Sequence, residues 1–269
     1  FRESCGINSK RRKLKTMKKA LFYLFSFLSL GIHANEQDTS LELINKANKA
    51  YENGTFEVAV ESYSQLLADG YVSKDLHFNY ANCLFKSNEL ALSILHYEKA
   101  LKLDPSSEDA AYNLKLANNK TVDKIEAIPD LFIYRWWRTI YNIFPADDWA
   151  KILIGFFILG LVGLSIFKLA KTIKLKKFGF TVLSGSLILA LICWVLAASQ
   201  KNYATTTTHA IILDSTVDIL SAPSSGSSQL FVLHEGTKVK IKDQTEGWLE
   251  ISLPNGNQGW IVIKSVAKI

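Results

Sequence analysis

Three hydrophobic patterns follow one another along this chain. From Ser40 to about Asn119 apolar residues recur at helical spacing. Ile152–Phe167 and Phe178–Gln200 are then uncharged throughout. After His209, short apolar runs alternate with turn residues, at Ala210–Leu213, Val217–Leu220, Gln229–Leu233, Lys238–Lys242, Trp248–Ser252 and Trp260–Ile263. Pro254-Asn255-Gly256-Asn257 is a hairpin signal. The pattern predicts a multidomain membrane protein. It has an α-helical repeat region, a two-helix transmembrane hairpin and a small C-terminal all-β barrel.

Charge orients the hairpin. Lys168, Lys171, Lys174, Lys176 and Lys177 stand between the two apolar runs with no acid among them. Short basic loops stay in the cytoplasm. The expected spans are therefore 149–170 and 178–200, the loop 171–177 lies inside, and both flanking regions lie on the far side of the membrane. Eleven Leu, Ile, Val and Phe residues between Phe178 and Leu196 favour insertion by about 3–6 kcal/mol. Neither run contains an acid or His, which argues against an ion pathway. Just before the first span, 129–148 holds Phe132, Tyr134, Trp136, Trp137, Tyr141 and Phe144, with Arg135 and Arg138. One reading is an interfacial helix, with Trp136, Trp137 and Trp149 at the headgroup level. The other is one more helix buried against the repeats.

The N-terminal residues change the electrostatics. The one methionine is Met17. Residues 1–16 read as an extension upstream of the start, and 17–34 as a signal peptide. Lys18 and Lys19 form its basic end, Ala20–Ile32 its apolar stretch, and cleavage follows Ala34. An uncleaved anchor is the alternative. Of the net charge of +6, residues 1–16 supply +5, and Lys18 and Lys19 leave with the signal. The mature chain is near −1, so the high pI of the full sequence is no argument for nucleic acid, which needs basic clusters on one surface. Cys83 and Cys193 lie far apart, in a repeat helix and in a span, and read as buried apolar residues.

The region 38–126 repeats with a period of 34. Asn45, Asn79 and Asn113 keep that interval, as do Ile44, Phe78 and Tyr112, Tyr63 and Tyr97, and Ala47 and Ala81. Asp104-Pro105 closes the second unit. This pattern resembles the tetratricopeptide repeat. Tyr80-Ala81, Leu84, Ser93, Tyr97, Ala100 and Pro105 fall on its positions, as do Ala47, Gly54, Phe56, Ala59 and Tyr63. Tyr71 stands where the first unit should have Pro, and the third unit supplies only its first helix. The resemblance implies a concave face lined by first helices, carrying Asn45, Asn48, Tyr51, Phe78, Asn79, Asn82, Phe85, Tyr112 and Asn113. Amides and rings suit a bound peptide, and the same asparagines equally serve as ties between adjacent helices.

After a polar linker, 201–208, residues 209–269 resemble a bacterial SH3 (SH3b) domain. The matching pieces are Val217-Asp218-Ile219-Leu220-Ser221-Ala222-Pro223, Glu235-Gly236-Thr237-Lys238-Val239, Glu246-Gly247-Trp248 and Gly259-Trp260-Ile261. Leu220 replaces a usual Arg and Ala222 a usual Gly. Trp248 and Trp260 read either as a ligand platform or as core. SH3b domains often bind cell-wall peptides or neighbouring protein segments.

The sequence contains no metalloprotease, phosphate-loop or dinucleotide motif. His33, His77, His96, His209 and His234 are scattered, so neither an enzyme nor a cofactor is expected. The whole module order resembles the BatE-type proteins of the Bacteroides aerotolerance (Bat) operon. That resemblance implies a complex with von Willebrand factor A-type Bat proteins and a MoxR-type ATPase, in oxygen or stress tolerance. Two functions are carried forward. One is a periplasm-facing scaffold that binds partner proteins through the groove and the SH3b domain. The other is an envelope sensor that holds peptidoglycan and recruits a separate hydrolase.

Overall fold

The computed structural model describes residues 40–126, 128–129, 131–206 and 208–269. The signal segment and the sixteen residues before it lie outside these. The chain divides into two compact units between Tyr71 and Val72.

The first unit contains one helix pair, α1 (40–52) and α2 (Phe56–Ala68). Ala47 and Ala59 are fully buried. A methyl at each position lets two helix backbones approach closely, and Tyr63 and Leu66 fill the space beside them. The tyrosine hydroxyl finds a partner, donating to Asn48 Oδ1 at 2.5 Å.

The second unit begins with α3 (Lys74–Lys86), α4 (Leu90–Leu103) and α5 (Glu108–Asn118). Ser73 caps α3, its Oγ accepting from Leu76 N–H at 3.0 Å. Asp104 ends α4 in an extended conformation. Its carboxylate takes the Ser106 N–H at 3.1 Å and the Lys74 ammonium at 2.7 Å. Ala81, Ala91, Ile94, Leu95, Tyr97 and Ala117 make the helical core. Inside it His77 and His96 meet Nδ1 to Nδ1 at 2.9 Å, with the Tyr80 ring edge-on to His96 at 4.5 Å. One nitrogen must donate and the other accept, so the two rings cannot both be protonated.

Next come α6 (Phe132–Tyr141), α7 (Ala146–Leu169) and α8 (Ile173–Thr206). The last two are long and apolar enough to cross a membrane. They pack as a hairpin at the glycines. A Cβ on Gly163 would lie 2.8 Å from Leu183 N, and one on Gly179 would lie 2.6 Å from Phe167 N. Close backbone approach of this kind holds helices together where there is no water to expel. The turn between them is shorter than the lysine run suggests. Lys174, Lys176 and Lys177 already belong to α8, since lysine is a good helix former and its ammonium reaches away from the axis. At its other end α8 continues through the expected linker to Thr206, where Thr205 Oγ1 bonds back to Lys201 O at 2.9 Å.

α6 is not buried against the repeats. Its Phe132 is 76% and its Trp136 63% exposed. Only Tyr141 is buried, its ring 6.0 Å from Tyr203 of α8. Trp149 Nε1 donates to Tyr141 O at 3.0 Å and fixes the corner before α7.

The C-terminal part is an antiparallel seven-stranded sheet in the order β3-β2-β6-β5-β4-β1-β7. Its strands are β1 (His209–Ile212), β2 (Thr216–Leu220), β3 (Gln229–His234), β4 (Lys238–Thr245), β5 (Trp248–Ser252), β6 (Gln258–Val262) and β7 (Val266–Lys268). Ala210, Ile212, Ile219, Leu233, Val239, Leu249, Ile251 and Ile261 form its core.

The buried histidines set an acid limit. Burial, and after it the Lys99 ammonium, lowers His77 to about 4 and His96 to about 3. Burial also lowers His209 to about 4, ahead of Lys238, Lys240 and Lys102. An unfolded histidine titrates near ~6.5. Below that pH the unfolded chain takes up protons that the folded chain refuses. Stability is therefore full above pH ~6.5 and falls as the pH drops towards 4. Thermal melts of the full chain between pH 7.5 and 4 should show that decline, and a His77→Asn, His96→Leu variant should make it shallower, the remainder coming from His209. A flat wild-type curve would contradict the buried neutral pair.

Candidate functional site

The helical face expected to bind a peptide divides into committed and open groups. In the first unit Asn48 holds the Tyr63 hydroxyl, Asn45 is exposed, and Tyr51 packs edge-on against Phe56 with centroids 5.5 Å apart. In the second unit Asn82 Oδ1 accepts twice, from Tyr97 OH at 2.6 Å and from Asn113 Nδ2 at 2.9 Å. The pairs Asn48–Tyr63 and Asn82–Tyr97 are one tie repeated after 34 residues. Asn79 is half-buried and makes no side-chain hydrogen bond among the described residues. Phe78 stacks obliquely on Tyr97 at 6.2 Å, Lys120 lies 4.3 Å over the Phe85 ring, and Tyr112 is 64% exposed. The second unit thus offers Asn79, Tyr112 and the edges of two phenylalanines.

A second arrangement was not foreseen from the sequence. The β sheet packs on α4. Ala210 and Ile212 of β1 enter the barrel core, while Ile211 between them enters the helical core with Ile94 and Leu95. Leu213, Ala267 and Ile269 join the same helical cluster. Polar contacts frame this seam. Lys238 Nζ meets Glu98 Oε2 at 2.6 Å, and Lys102 Nζ donates to Ile269 O at 2.8 Å.

Asp123 is the centre of the seam. Its Oδ2 accepts from Thr237 Oγ1 at 2.6 Å and from His234 N–H at 2.7 Å, and its Oδ1 lies 2.8 Å from His234 Nδ1. Burial pushes this carboxyl up, but hydrogen bonds from Thr237 and His234 outweigh it and hold the pKa below the ordinary value. Next to Thr237 stands Gly236, at φ +80, where an added Cβ would lie 2.9 Å from both Ile94 and Thr121. Only glycine meets both demands. Past Asp123 the chain continues along the barrel. Ile125 packs on the sheet core, and Ile128 N–H donates to Pro254 O at 3.0 Å. One sequence signal pointed here: the unbroken run Ala210-Ile211-Ile212-Leu213 has no polar alternation, as a strand buried on both faces requires.

Trp248 and Trp260 are both half-buried. Leu249 pairs with Ile261, and Trp248 with Val262, Glu250 with Trp260. Alternation then puts both tryptophans on the sheet face opposite the Leu249–Ile261 core. Neither ring is core, and neither belongs to the seam with α4. Trp136 and Trp137 project from α6, and Trp149 stands at the start of α7.

The comparisons with known proteins agree with this architecture. Residues 44–108 match the tetratricopeptide repeat family. Residues 215–265 match the bacterial SH3 domain family. No curated protein matches the chain. Both matched families are interaction modules rather than enzymes.

Two substitutions should separate the asparagines. Asn82→Ala removes the acceptor shared by Tyr97 OH and Asn113 Nδ2 and should cost about 1–3 kcal/mol of stability. Asn79→Ala should leave the melting temperature within about a degree or two, since no bond is lost. Equal destabilisation by both would assign Asn79 to packing. For the seam, Asp123→Ala should raise hydrogen exchange at 209–213 and 234–238 while β5 and β6 stay protected. Unchanged exchange there would mean that the apolar contacts alone hold it.

Proposed function

We propose that this chain is a membrane-anchored adaptor in a bacterial inner membrane, with its repeat and SH3b parts facing the periplasm. The seam on α4 carries the reading. Two modules that touch each other are joined in sequence by two membrane-length helices, and a hairpin of two spans returns the chain to the side it left. The lysines at the turn, from Lys168 to Lys177, favour that turn in the cytoplasm. The exposed aromatics of α6 then lie at the headgroup level, where Trp and Tyr are enriched. The signal read at 17–34 delivers the repeats to the same side.

The adaptor binds protein partners through the first-helix face, where Asn79 and Tyr112 supply unspent contacts. Its module order favours a BatE-type role, within a complex of von Willebrand factor A-type proteins and a MoxR-type ATPase. A second reading, wall attachment or sensing, is favoured by one observation. Trp248 and Trp260 share a sheet face that the seam leaves unused.

Topology and partnership are tested together. Protease added to spheroplasts should digest the repeat and SH3b parts and spare the hairpin; protection of either part overturns the orientation. Affinity purification from native membranes should bring down a stable set of membrane proteins, and Asn79→Ala should reduce it. Retention on purified peptidoglycan, abolished by Trp248→Ala, Trp260→Ala, would favour the wall reading instead.

A further inference from the structure

A cavity of about 270 Å³ opens in the second unit between α4, α5, the α6–α7 corner, the end of α8, β1 and β4. α4 contributes Glu98 and Lys102, the α6–α7 corner Asn142, the end of α8 Gln200 and Tyr203, and β4 Lys238. It is smaller than the ~300–1,000 Å³ of drug-sized ligand sites, so it suits a small polar group. We infer that it receives the headgroup of a phospholipid, specifically a phosphodiester whose alcohol carries N–H or O–H donors. This inference rests on the membrane reading above.

The position comes first. The apolar stretch of α8 ends at Leu196, and its residues from Phe178 span about 28 Å of helix, close to a hydrocarbon core of ~30 Å. Gln200 lies one turn beyond that stretch and Tyr203 nearly two. Asn142 directly follows α6, whose end is tied to Trp149 at the start of α7. The mouth of the cavity is therefore at the headgroup level.

The chemistry comes second. Asn142 Oδ1 is buried with no hydrogen-bond partner. Gln200 is 5% exposed and has no side-chain partner among the described residues. A buried amide oxygen without a partner is rare and requires an explanation, and the Gln200 amide opens on the same cavity. Lys102 and Lys238 each show one bond, to Ile269 O and to Glu98. An ammonium carries three donors, so both retain capacity for phosphate oxygens. Asn142 Oδ1 and the Glu98 carboxylate need donors, which an ethanolamine ammonium or a glycerol hydroxyl supplies. Choline has the same phosphate and no such donor. The arrangement thus separates phosphatidylethanolamine and phosphatidylglycerol from phosphatidylcholine.

The full chain is placed in nanodiscs of phosphatidylcholine doped with phosphatidylethanolamine or phosphatidylglycerol. Lipids retained after extraction are counted by native mass spectrometry. The expected result is about tenfold enrichment of the donor-bearing lipids, the worth of one good buried hydrogen bond. Asn142→Leu, Gln200→Leu should abolish the enrichment. Its melting temperature in pure phosphatidylcholine should not fall, because the amides removed had no partner. Equal retention of all three lipids by the wild-type chain overturns the inference, and that comparison stands even if the variant fails to fold. Enrichment that survives in a folded variant overturns it as well. Displacement by soluble glycerophosphoethanolamine at matched concentration would assign the cavity to a soluble phosphodiester and overturn the lipid source. A chain that stays soluble without detergent and does not enter nanodiscs overturns the membrane reading, and this inference with it. A chain that enters nanodiscs but shows no lipid preference overturns the headgroup site alone.

Discussion

Strand β1 is buried on both faces, and the arrangement of the second unit follows from that constraint. Ala210 and Ile212 serve the barrel, and Ile211 serves the helices. Full burial of one isoleucine stabilises by about 1.5–3 kcal/mol, and Leu213, Ala267 and Ile269 extend the same contact. Asp123 supplies direction. Hydrophobic contact tolerates sliding, but a carboxylate that accepts from Thr237 and from the His234 backbone tolerates little. α8 ends at Thr206 and β1 begins at His209, so the chain between the hairpin and the seam has almost no slack. The second unit is a closed circuit. It leaves the repeat at Asp123, passes through the two long helices, and returns to the repeat at Ile211.

This circuit also explains the lower cavity wall. Asn142 and Gln200 would be solvent-exposed at the ends of free helices. They become enclosed because the seam brings β4 and α4 beside those ends. The polar clusters at Asp123 and around Asn142 have a common origin. Each lies at the border of the same docked barrel.

Local features were legible in the sequence. The 34-residue interval located helices because each repeat must present the same residues to its neighbour, and the uncharged runs located α7 and α8 because an unbroken apolar stretch of that length is long enough for a membrane-crossing helix. The turn signals and Gly-Trp spacings located the sheet. Element ends were less legible. Lys174–Lys177 and Asn202–Thr206 are polar, yet both continue a helix, because polarity reports contact with water and not helix termination. The seam was the least legible feature. Glu98 and Lys238 are 140 residues apart, and no spacing marks such a pair. Asn82 misled in a different way. A repeating asparagine looks the same whether it serves a ligand or the next helix, and only the Tyr97 hydroxyl distinguishes them.

The double burial of β1 has a consequence for biosynthesis. The face of α4 that receives Ile211 is made early, when the repeats leave the ribosome, and remains uncovered until the last sixty residues are complete. On the two-span reading those residues reach it only if both helices have inserted in the correct sense. A chain whose second span fails to insert, on the same reading, separates its sheet from the repeats by the membrane and leaves an apolar strip on α4 uncovered. On that reading the seam depends on topology: a correctly threaded molecule hides the strip, and a misthreaded one leaves it uncovered.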